Sequence, residues 1–292
     1  MSTNTAEQNY FIPEPSRWPA VAVVGIFFMV LGFALWMNNI GFGPVSTLIG
    51  SAIIVYLFFG WFGDVIDESM TKKYNTGVDR SFRQGMFWFI TSEVCFFITF
   101  FGCLYYLRNI SLPYLGGEGQ LAESNMLWEG FKYSWPVVNL PDVTNYTQLI
   151  EPMGAGGIPA YNTAILLSSG VTLTWAHWGL KKESNAQLVW GLVATVALGM
   201  LFFALQAYEY VHAYAELGLT LNSGIYGSTF YMLTGFHGFH VTIGTIMLMV
   251  ILVRSIKGHF SHENHFAFEA VAWYWHFVDV VWLGLYIFVY WL

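Results

Sequence analysis

The stretch at residues 273–292 limits the environments in which this chain can fold. It reads Trp-Tyr-Trp-His-Phe-Val-Asp-Val-Val-Trp-Leu-Gly-Leu-Tyr-Ile-Phe-Val-Tyr-Trp-Leu, with one carboxylate, Asp279, and one imidazole, His276. A helix of this length, at about 1.5 Å per residue, covers the hydrocarbon core of a bilayer, which is about 30 Å thick. The two polar residues lie three positions apart and therefore share a helix face. Since an ionisable group at membrane depth is costly unless it is paired or faces protein, we expect that face to point into a helix bundle.

The composition extends this conclusion to the whole chain. Of 292 residues, 56% are hydrophobic and 10% are charged, against roughly 25% charged in an ordinary soluble domain. The mean hydropathy is +0.52. These values predict an integral membrane protein. The net charge of -7 indicates nothing about nucleic acid, because the few basic residues are scattered and form no patch, so no nucleic-acid partner is expected.

Seven apolar spans follow a polar segment at residues 1–17, which we interpret as a retained cytoplasmic tail because it lacks the basic start of a signal peptide. They predict an all-α membrane protein with seven transmembrane helices, at residues 18–38, 44–65, 84–107, 160–180, 187–212, 226–253 and 268–292. The first two form an arm at 18–65, a cytoplasmic loop occupies 66–83, and the other five lie within 84–292. Gly25 and Gly32 share one face of the first helix, where another backbone or a lipid chain could approach closely.

Lysine and arginine are distributed unevenly between alternate connections, and this distribution predicts the orientation. Two of them, Arg108 and Lys132, lie on one side. The other side holds nine, namely Arg17, Lys72, Lys73, Arg80, Arg83, Lys181, Lys182, Arg254 and Lys257. The prediction is a cytoplasmic N-terminus and, with an odd number of helices, a C-terminus on the outer face.

The connection at about residues 108–158 is the one long segment between the apolar spans. It is rich in proline and acidic residues and is predicted to lie on the outer face. Trp128 and Trp135 favour a loop that is functional or packed on a partner over a bare flexible one. A family-specific insertion without chemistry is the alternative.

Glu93 is the most informative polar residue inside the spans. It lies near the middle of the third span, in Phe-Trp-Phe-Ile-Thr-Ser-Glu-Val-Cys-Phe-Phe-Ile, with Thr91, Ser92 and Thr99 as the nearby polar side chains. A proton-handling or lipid-facing role is one hypothesis. A neutral acid that is hydrogen-bonded to a neighbouring helix is the other.

The remaining ionisable residues in the spans are predicted to form an intramembrane polar network of His177, Glu209, His212, His237, His240, His276 and Asp279. Glu209-x-x-His212 resembles half of a di-iron carboxylate site, but the sequence has no second copy. His237-x-x-His240, with His276 as a third ligand, could hold a metal or a haem. Interhelical hydrogen bonds are favoured, because the glycines around the pair indicate tight helix packing. No catalytic or metal-ligating residue is therefore predicted.

Several longer motifs point to one family. They are Arg83-x-Gly85-Met86, Ser92-Glu93-Val94-x-Phe96-Phe97, Thr174-Trp175-Ala176-His177, Leu205-Gln206-Ala207-x-Glu209-Tyr210, Tyr226-Gly227-Ser228-Thr229-Phe230, Thr234-Gly235-Phe236-His237-Gly238-x-His240-Val241, and Phe268-Glu269-Ala270 leading into Trp273-Tyr274-Trp275-His276-Phe277-Val278-Asp279-Val280-Val281-Trp282-Leu283. The last two are long and specific. From about Trp61 onward, the chain resembles subunit III of the haem-copper cytochrome c oxidases.

This resemblance implies a seven-helix subunit without haem or copper, next to a catalytic subunit I in a complex that holds both. It implies that the first two helices are splayed from a five-helix bundle and that phospholipids occupy the cleft between them, which Glu93 faces. It also implies support for proton uptake into the D pathway of subunit I and protection of the enzyme during turnover. Quinol-oxidase relatives commonly lack the first two helices, so their presence favours the cytochrome c branch.

The resemblance also marks lipid-binding positions, at Trp61, Glu68, Arg83, Arg254 and His259. Basic residues at cytoplasmic helix ends suit anionic head groups, although the ordinary excess of positive charge on the inner side would place them there too. Asp67 stands where relatives often have arginine, which removes one phosphate ligand.

We therefore predict a non-catalytic accessory subunit of a proton-pumping respiratory cytochrome c oxidase, in the inner membrane of a bacterium or a mitochondrion. The expected partners are subunit I as the main contact, subunit II, a small subunit IV in complexes that have one, and phospholipids. Asp67, Glu68, His259, His262 and His265 could collect protons at the inner surface, with exposed loop residues the simpler account.

Two alternatives belong to other classes of protein. A stand-alone proton-coupled secondary transporter could use Glu93, Glu209 and Asp279 as a relay, but it would be expected to show inverted repeats and broken helices, which are not visible. An independent haem or di-iron enzyme is weakened by the missing ligands.

Overall fold

The structure, a computed structural model, describes residues 11–117, 131–140 and 144–291, and its regular secondary structure there is helical. No β-strand occurs in these ranges. The helices are α1 (Trp18–Met37), α2 (Gly43–Met70), α3 (Thr76–Tyr106), the single turn α4 (Leu112–Leu115), α5 (Ile158–Lys181), α6 (Asn185–Ala215), α7 (Gly224–Ile256) and α8 (Phe266–Leu285). Wider π-type turns at Leu107–Ser111 and Tyr286–Trp291 continue α3 and α8.

Six helices in the described ranges are long and apolar enough to cross a membrane. They are α1, α2, α3 with its continuation to Leu115, α6, α7, and α8 with its continuation to Trp291. The seventh long helix, α5, has 24 residues but carries Asn162, Ser169 and Thr172 among its polar side chains. Each predicted span thus coincides with a long helix, and a membrane crossing by α5 stays a prediction.

The segment predicted as a loop at residues 66–83 is largely helical. The helix α2 continues to Met70 and α3 begins at Thr76. Asn75 starts α3, because its Oδ1 atom accepts the backbone N–H of Val78 at 3.0 Å and so satisfies one free donor of the first turn. The apolar spans therefore mark only the middle of these two helices.

Two compact units divide the chain at residues 84 and 85, within α3. In the first unit, α1 and α2 form a hairpin in which glycines allow close backbone contact. A Cβ atom on Gly32 would overlap the backbone of Thr47, and one on Gly50 would overlap the backbone of Met29. The close approach predicted at Gly32 is therefore to the backbone of α2.

In the second unit, α5, α6, α7 and α8 contact one another in sequence order, and α8 also contacts α5. Two tryptophans of α8 fill the centre. Trp275 is fully buried and donates to the hydroxyl of Ser169 at 2.8 Å, and Trp282 donates to that of Thr163 at 2.9 Å. Both acceptors lie on α5. Hydrogen bonds as well as apolar contacts therefore hold the last of the four helices against the first.

The helix α3 contacts α7 and α8 through large aromatic side chains. The ring of Phe96 lies 5.1 Å from that of Phe236 on α7, and the ring of Phe97 lies 5.9 Å from that of Phe277 on α8. These contacts place the middle of α3, including Glu93, against two helices of the second unit.

The described part of the long connection packs on its own chain. The backbone N–H of Ile150 donates to the carbonyl of Leu217 at 2.9 Å, and the ring of Trp135 lies 5.7 Å from that of Tyr226. Leu149 is buried. The described residues therefore do not form a bare loop. Trp128 lies outside the described residues, and contact with a partner stays a prediction.

Candidate functional site

Glu93 and His240 form a hydrogen-bonded pair between α3 and α7. The Oε2 atom of Glu93 lies 2.9 Å from Nε2 of His240, and the Glu93 side chain is 22% exposed. The ring of Phe97 lies 5.1 Å from that of His240. The interhelical hydrogen bond that the sequence offered as one interpretation of Glu93 is present, and its partner is a histidine.

The hydroxyl groups that neighbour Glu93 in sequence bond elsewhere. Thr91, Ser92 and Thr99 each donate to a carbonyl of α3 itself, at 2.8, 2.7 and 2.9 Å. Their hydrogen bonds are thus internal to the helix. His240 is the side chain that bonds to the acid.

The hydrogen bonds of His240 determine the number of protons in the pair. Its Nδ1 atom lies 2.6 Å from the carbonyl oxygen of Phe236, and since a carbonyl only accepts, Nδ1 carries a hydrogen. If the imidazole is neutral, Nε2 has no hydrogen, and the bond to Glu93 requires a protonated carboxyl. If the imidazole is charged, Nε2 donates to a carboxylate. In both states one hydrogen lies between the two side chains.

His237, three residues earlier on α7, has a different partner. Its Nε2 atom donates to the carbonyl of Val278 on α8 at 3.2 Å, and its ring lies 5.1 Å from that of Trp282. Each of the two histidines therefore makes an interhelical hydrogen bond, His237 to α8 and His240 to α3. Among the described residues, His237, His240 and His276 do not come together as a group of metal ligands.

Glu209 is the most deeply buried carboxylate of the described residues, at 1% exposure. Its Oε1 atom accepts hydrogen bonds from the hydroxyl of Tyr290 at 2.7 Å and from the amide of Gln206 at 3.4 Å. The amide of Asn162 donates in turn to Gln206 at 3.4 Å. These bonds join α5, α6 and the turn that continues α8. The Oε2 atom has no hydrogen-bond partner among the described residues.

His212 does not belong to this network. Its Nδ1 atom lies 3.1 Å from the carboxylate of the exposed Glu216, whereas Glu209 is buried. The Glu209-x-x-His212 motif therefore does not present its two side chains to one site, in agreement with the absence of a second copy.

His276 and Asp279 lie at a groove between α5 and α8. Nδ1 of His276 is 3.4 Å from Oδ2 of Asp279, and a Cβ atom on Gly170 would lie 2.5 Å from the same oxygen. Apolar side chains such as Trp175 and Trp178 line the groove beside them. The polar face was expected to point into the bundle. Asp279 does so, but His276 is only half-buried, at the open edge.

His177 lies beside two residues at the start of α8. Its Nε2 atom is 3.6 Å from Oε1 of Glu269, and Nε2 of His265 is 3.2 Å from the same oxygen. His177 was assigned to the polar network from the sequence, and His265 to a proton-collecting surface. The structure places them in one cluster with Glu269.

The lipid-binding residues predicted in the first unit are engaged with its own side chains or exposed. Glu68 accepts a hydrogen bond from Tyr74 at 2.7 Å, and Arg83 lies 2.8 Å from Asp79. Trp61 is exposed. Burial, together with the hydrogen bond and the charge of Glu68, raises the pKa of the Tyr74 phenol, so Tyr74 stays a neutral donor near neutral pH.

Arg254, in the last turn of α7, is a buried cation. It is 8% exposed, and its guanidinium lies 4.6 Å from the centre of the Phe260 ring. Its Nε atom and Nδ1 of His259 have no hydrogen-bond partner among the described residues. No carboxylate in the described part of the chain forms an ion pair with Arg254. The other basic residues that the sequence predicts on the same side are exposed or half-buried, and Arg254 is not.

The partners of these groups, above all Tyr290, Glu269 and Asn162, were not predicted from the sequence. A signal existed in principle, since a buried carboxylate requires donors and Tyr290 is one of few phenols in the last span. Its partner Glu209 lies 81 residues away, however, and sequence spacing alone does not join them.

These observations define the chain as a helical multi-pass membrane protein in which Glu93, Glu209, His237 and His240 form hydrogen bonds between helices. The model of one family, described as Cytochrome c oxidase subunit III, matches residues 8–118 and 126–292. The chain therefore belongs to the cytochrome c oxidase subunit III family, as the motifs predicted.

Individual relatives agree with this assignment. The chain is 40% identical over 284 residues to cytochrome c oxidase subunit 3 of Formosania lacustris, covering 97% of this chain and 96% of the relative. The same values hold for that of Squalus acanthias. The identity to that of Heterololigo bleekeri is 40% over 283 residues, covering 97% of both chains. The chain is thus a membrane subunit of an oxidase complex of the respiratory chain.

Proposed function

We propose that this chain is a non-catalytic accessory subunit that binds phospholipids and supports a proton-pumping catalytic subunit I during electron transfer from cytochrome c to oxygen. Haem and copper belong to partner subunits, and the partners are subunit I, subunit II and, in complexes that have one, a small subunit IV. The complex lies in the inner membrane of a bacterium or a mitochondrion. The uneven distribution of basic residues supports an N-terminus on the cytoplasmic side and a C-terminus on the outer side.

Arg254 carries the lipid-binding part of this proposal. A guanidinium is always charged, and a buried charge without a counter-ion costs several kcal/mol. Arg254 is buried, and no described carboxylate neutralises it. An anion from outside the chain would remove this cost. At the end of a transmembrane helix, the phosphate of a phospholipid is the anion at hand.

His259 supports the same site. Its backbone N–H donates to the carbonyl of Arg254 at 3.0 Å, and its Nδ1 atom is buried without a partner. A phosphate oxygen accepts hydrogen bonds from both side chains, since a guanidinium carries five N–H donors and a protonated imidazole two.

The Glu93–His240 pair supports the role in proton uptake. One proton is shared between a carboxyl and an imidazole, both of which exchange protons near neutral pH in many proteins. The pair is partly exposed, so that proton is accessible from outside the second unit. In this role the pair takes up and returns protons near subunit I, and its loss shortens the active life of the enzyme.

The test is Arg254→Gln in the assembled oxidase. The amide keeps hydrogen-bonding capacity but removes the charge. A basic residue near an anionic surface contributes about 1 kcal/mol, so phospholipid retained by the purified complex should fall at least about fivefold at this site. The active lifetime during turnover should shorten as well. Bound lipid is counted by mass spectrometry of the intact complex.

Lys257→Gln is the matched control, because Lys257 lies three residues further on and is exposed. It removes the same charge from the same end of α7 without emptying a buried position. Lipid retention and lifetime that are equal in Arg254→Gln and wild type would contradict the proposal.

A further inference from the structure

The cluster of His177, His265 and Glu269 brings together the ends of two helices. His177 lies in the last turns of α5, His265 immediately precedes α8, and Glu269 lies in the first turn of α8. His265 and Glu269 are four residues apart and therefore project from one side of the same turn. Their relative position is set by α8, and His177 completes the group from α5.

The distances within the cluster fit a single bound cation. One ligand atom from each of the three residues lies within 4.8 Å of the other two. Around a tetrahedral zinc ion with ligands at about 2.0–2.1 Å, two ligand atoms are about 3.3 Å apart. The observed separations from Oε1 of Glu269 are 3.6 Å to His177 and 3.2 Å to His265, on either side of that value.

Each of the two imidazoles has a nitrogen that makes no hydrogen bond with the described residues. Nε2 of His177 and Nε2 of His265 are both buried and make no hydrogen bond. Both lie near Oε1 of Glu269, at 3.6 Å and 3.2 Å, without a hydrogen bond to it. A buried polar atom without a partner is rare and requires an explanation. A cation bound between these two nitrogens and the carboxylate oxygen would give both nitrogens a partner.

A further hydrogen bond prepares His265 as a ligand. Its Nδ1 atom lies 3.1 Å from the carbonyl oxygen of Ser261, so Nδ1 carries a hydrogen and the neutral ring has its lone pair on Nε2. Metal-binding histidines commonly donate their other N–H to a carbonyl or carboxylate, which fixes the ring and the tautomer. His265 has this arrangement.

We propose that His177, His265 and Glu269 bind a zinc ion. Two imidazole nitrogens and one carboxylate oxygen are a donor set typical of zinc, whereas magnesium and calcium prefer oxygen alone. Three protein ligands leave a fourth position for water. The ion would join the end of α5 to the start of α8 and hold the connection between α7 and α8 in place. This inference does not depend on lipid binding or on the Glu93–His240 pair.

The test compares zinc binding by the whole oxidase complex with and without one ligand. The complex is stripped with a chelator, titrated with Zn²⁺ against a competing indicator, and its zinc is counted by mass spectrometry. We expect the wild-type complex to bind one zinc ion more than His265→Ala. Loss of an outer-shell partner alone lowers metal affinity roughly 10–100-fold. Loss of His265, a direct ligand, should lower the zinc affinity of this site by at least as much. Excess Mg²⁺ should not displace the ion.

His262→Ala is the matched control, since His262 is an exposed imidazole of the same connection and lies outside the cluster. It should bind zinc as the wild type does. If His265→Ala fails to assemble, Glu269→Gln removes the carboxylate ligand at nearly constant volume and should show the same loss. Equal zinc content in wild type and ligand variants, equal loss in His262→Ala, or displacement by Mg²⁺ would each overturn the proposal.

Discussion

Glu93 and Glu209 are two carboxylates of the second unit with different surroundings. Glu93 is 22% exposed and bonds to one imidazole. Glu209 is 1% exposed and receives hydrogen bonds from a phenol and an amide. An imidazole both accepts and donates protons near neutral pH, whereas a phenol and an amide act there only as hydrogen-bond partners. Under the proposed function, Glu93 exchanges a proton with its imidazole partner, whereas Glu209 holds helices together through its phenol and amide partners.

The largest effect is expected from Tyr290→Phe. This change leaves Oε1 of Glu209 with only the 3.4 Å contact from Gln206, while Oε2 already has no partner among the described residues. Loss of a donor to a buried acceptor costs about 1–3 kcal/mol. The thermal stability of the subunit in the purified complex should fall accordingly. Tyr208→Phe, which changes an exposed phenol on α6, should leave stability unchanged. A stable Tyr290→Phe protein would remove the structural role from Glu209.

A smaller effect on stability, but a clear one on turnover, is expected from Glu93→Gln. The glutamine amide can still donate to Nε2 of His240, so the helix contact is kept and stability should change by less than about 1 kcal/mol. The shared proton is lost, and the oxidase should lose activity faster during continuous turnover. The measurement is the active lifetime, with the melting temperature recorded in parallel. An active lifetime equal to that of the wild type would indicate that Glu93, like Glu209, has only a structural role.

The smallest effect is expected from Ser92→Ala, next to Glu93 in sequence. The Ser92 hydroxyl is exposed and donates to the carbonyl of Phe89, so its removal should change stability by no more than about 0.5 kcal/mol. Lifetime in turnover should equal that of the wild type. If Ser92→Ala shortens the lifetime in turnover as Glu93→Gln does, the Ser92 hydroxyl contributes to the function of Glu93 together with His240.

The helices could be predicted from the sequence, but their lengths could not. Apolar runs locate the middle of each helix because a bilayer requires about 20 apolar residues. Residues 76–83 have no such signal and still form the start of α3, where the side chain of Asn75 caps the first turn. The resemblance to one family could also be recognised from the sequence, because the motifs around His237 and Trp275 are long.

The pairing of polar residues could not be predicted. Helices that are apolar on all sides carry no periodicity to show which face meets which neighbour. Glu93 and His240 lie 147 residues apart, and the three hydroxyls nearest to Glu93 in sequence do not serve it. For the same reason His177 and His265 were assigned to separate groups, although the structure brings them within reach of one carboxylate.

The hydrogen-bond donors of α8 and its continuation are synthesised after the helices that carry their acceptors. Trp275, Trp282 and Tyr290 satisfy hydroxyl and carboxylate acceptors on α5 and α6, yet the ribosome makes them about a hundred residues after α5. Until then, the Ser169 and Thr163 hydroxyls have only the carbonyls of α5 as partners, and Glu209 has only the amide of Gln206. The native hydrogen bonds of α5 and α6 are therefore complete only after the last helix has been synthesised and has packed against them.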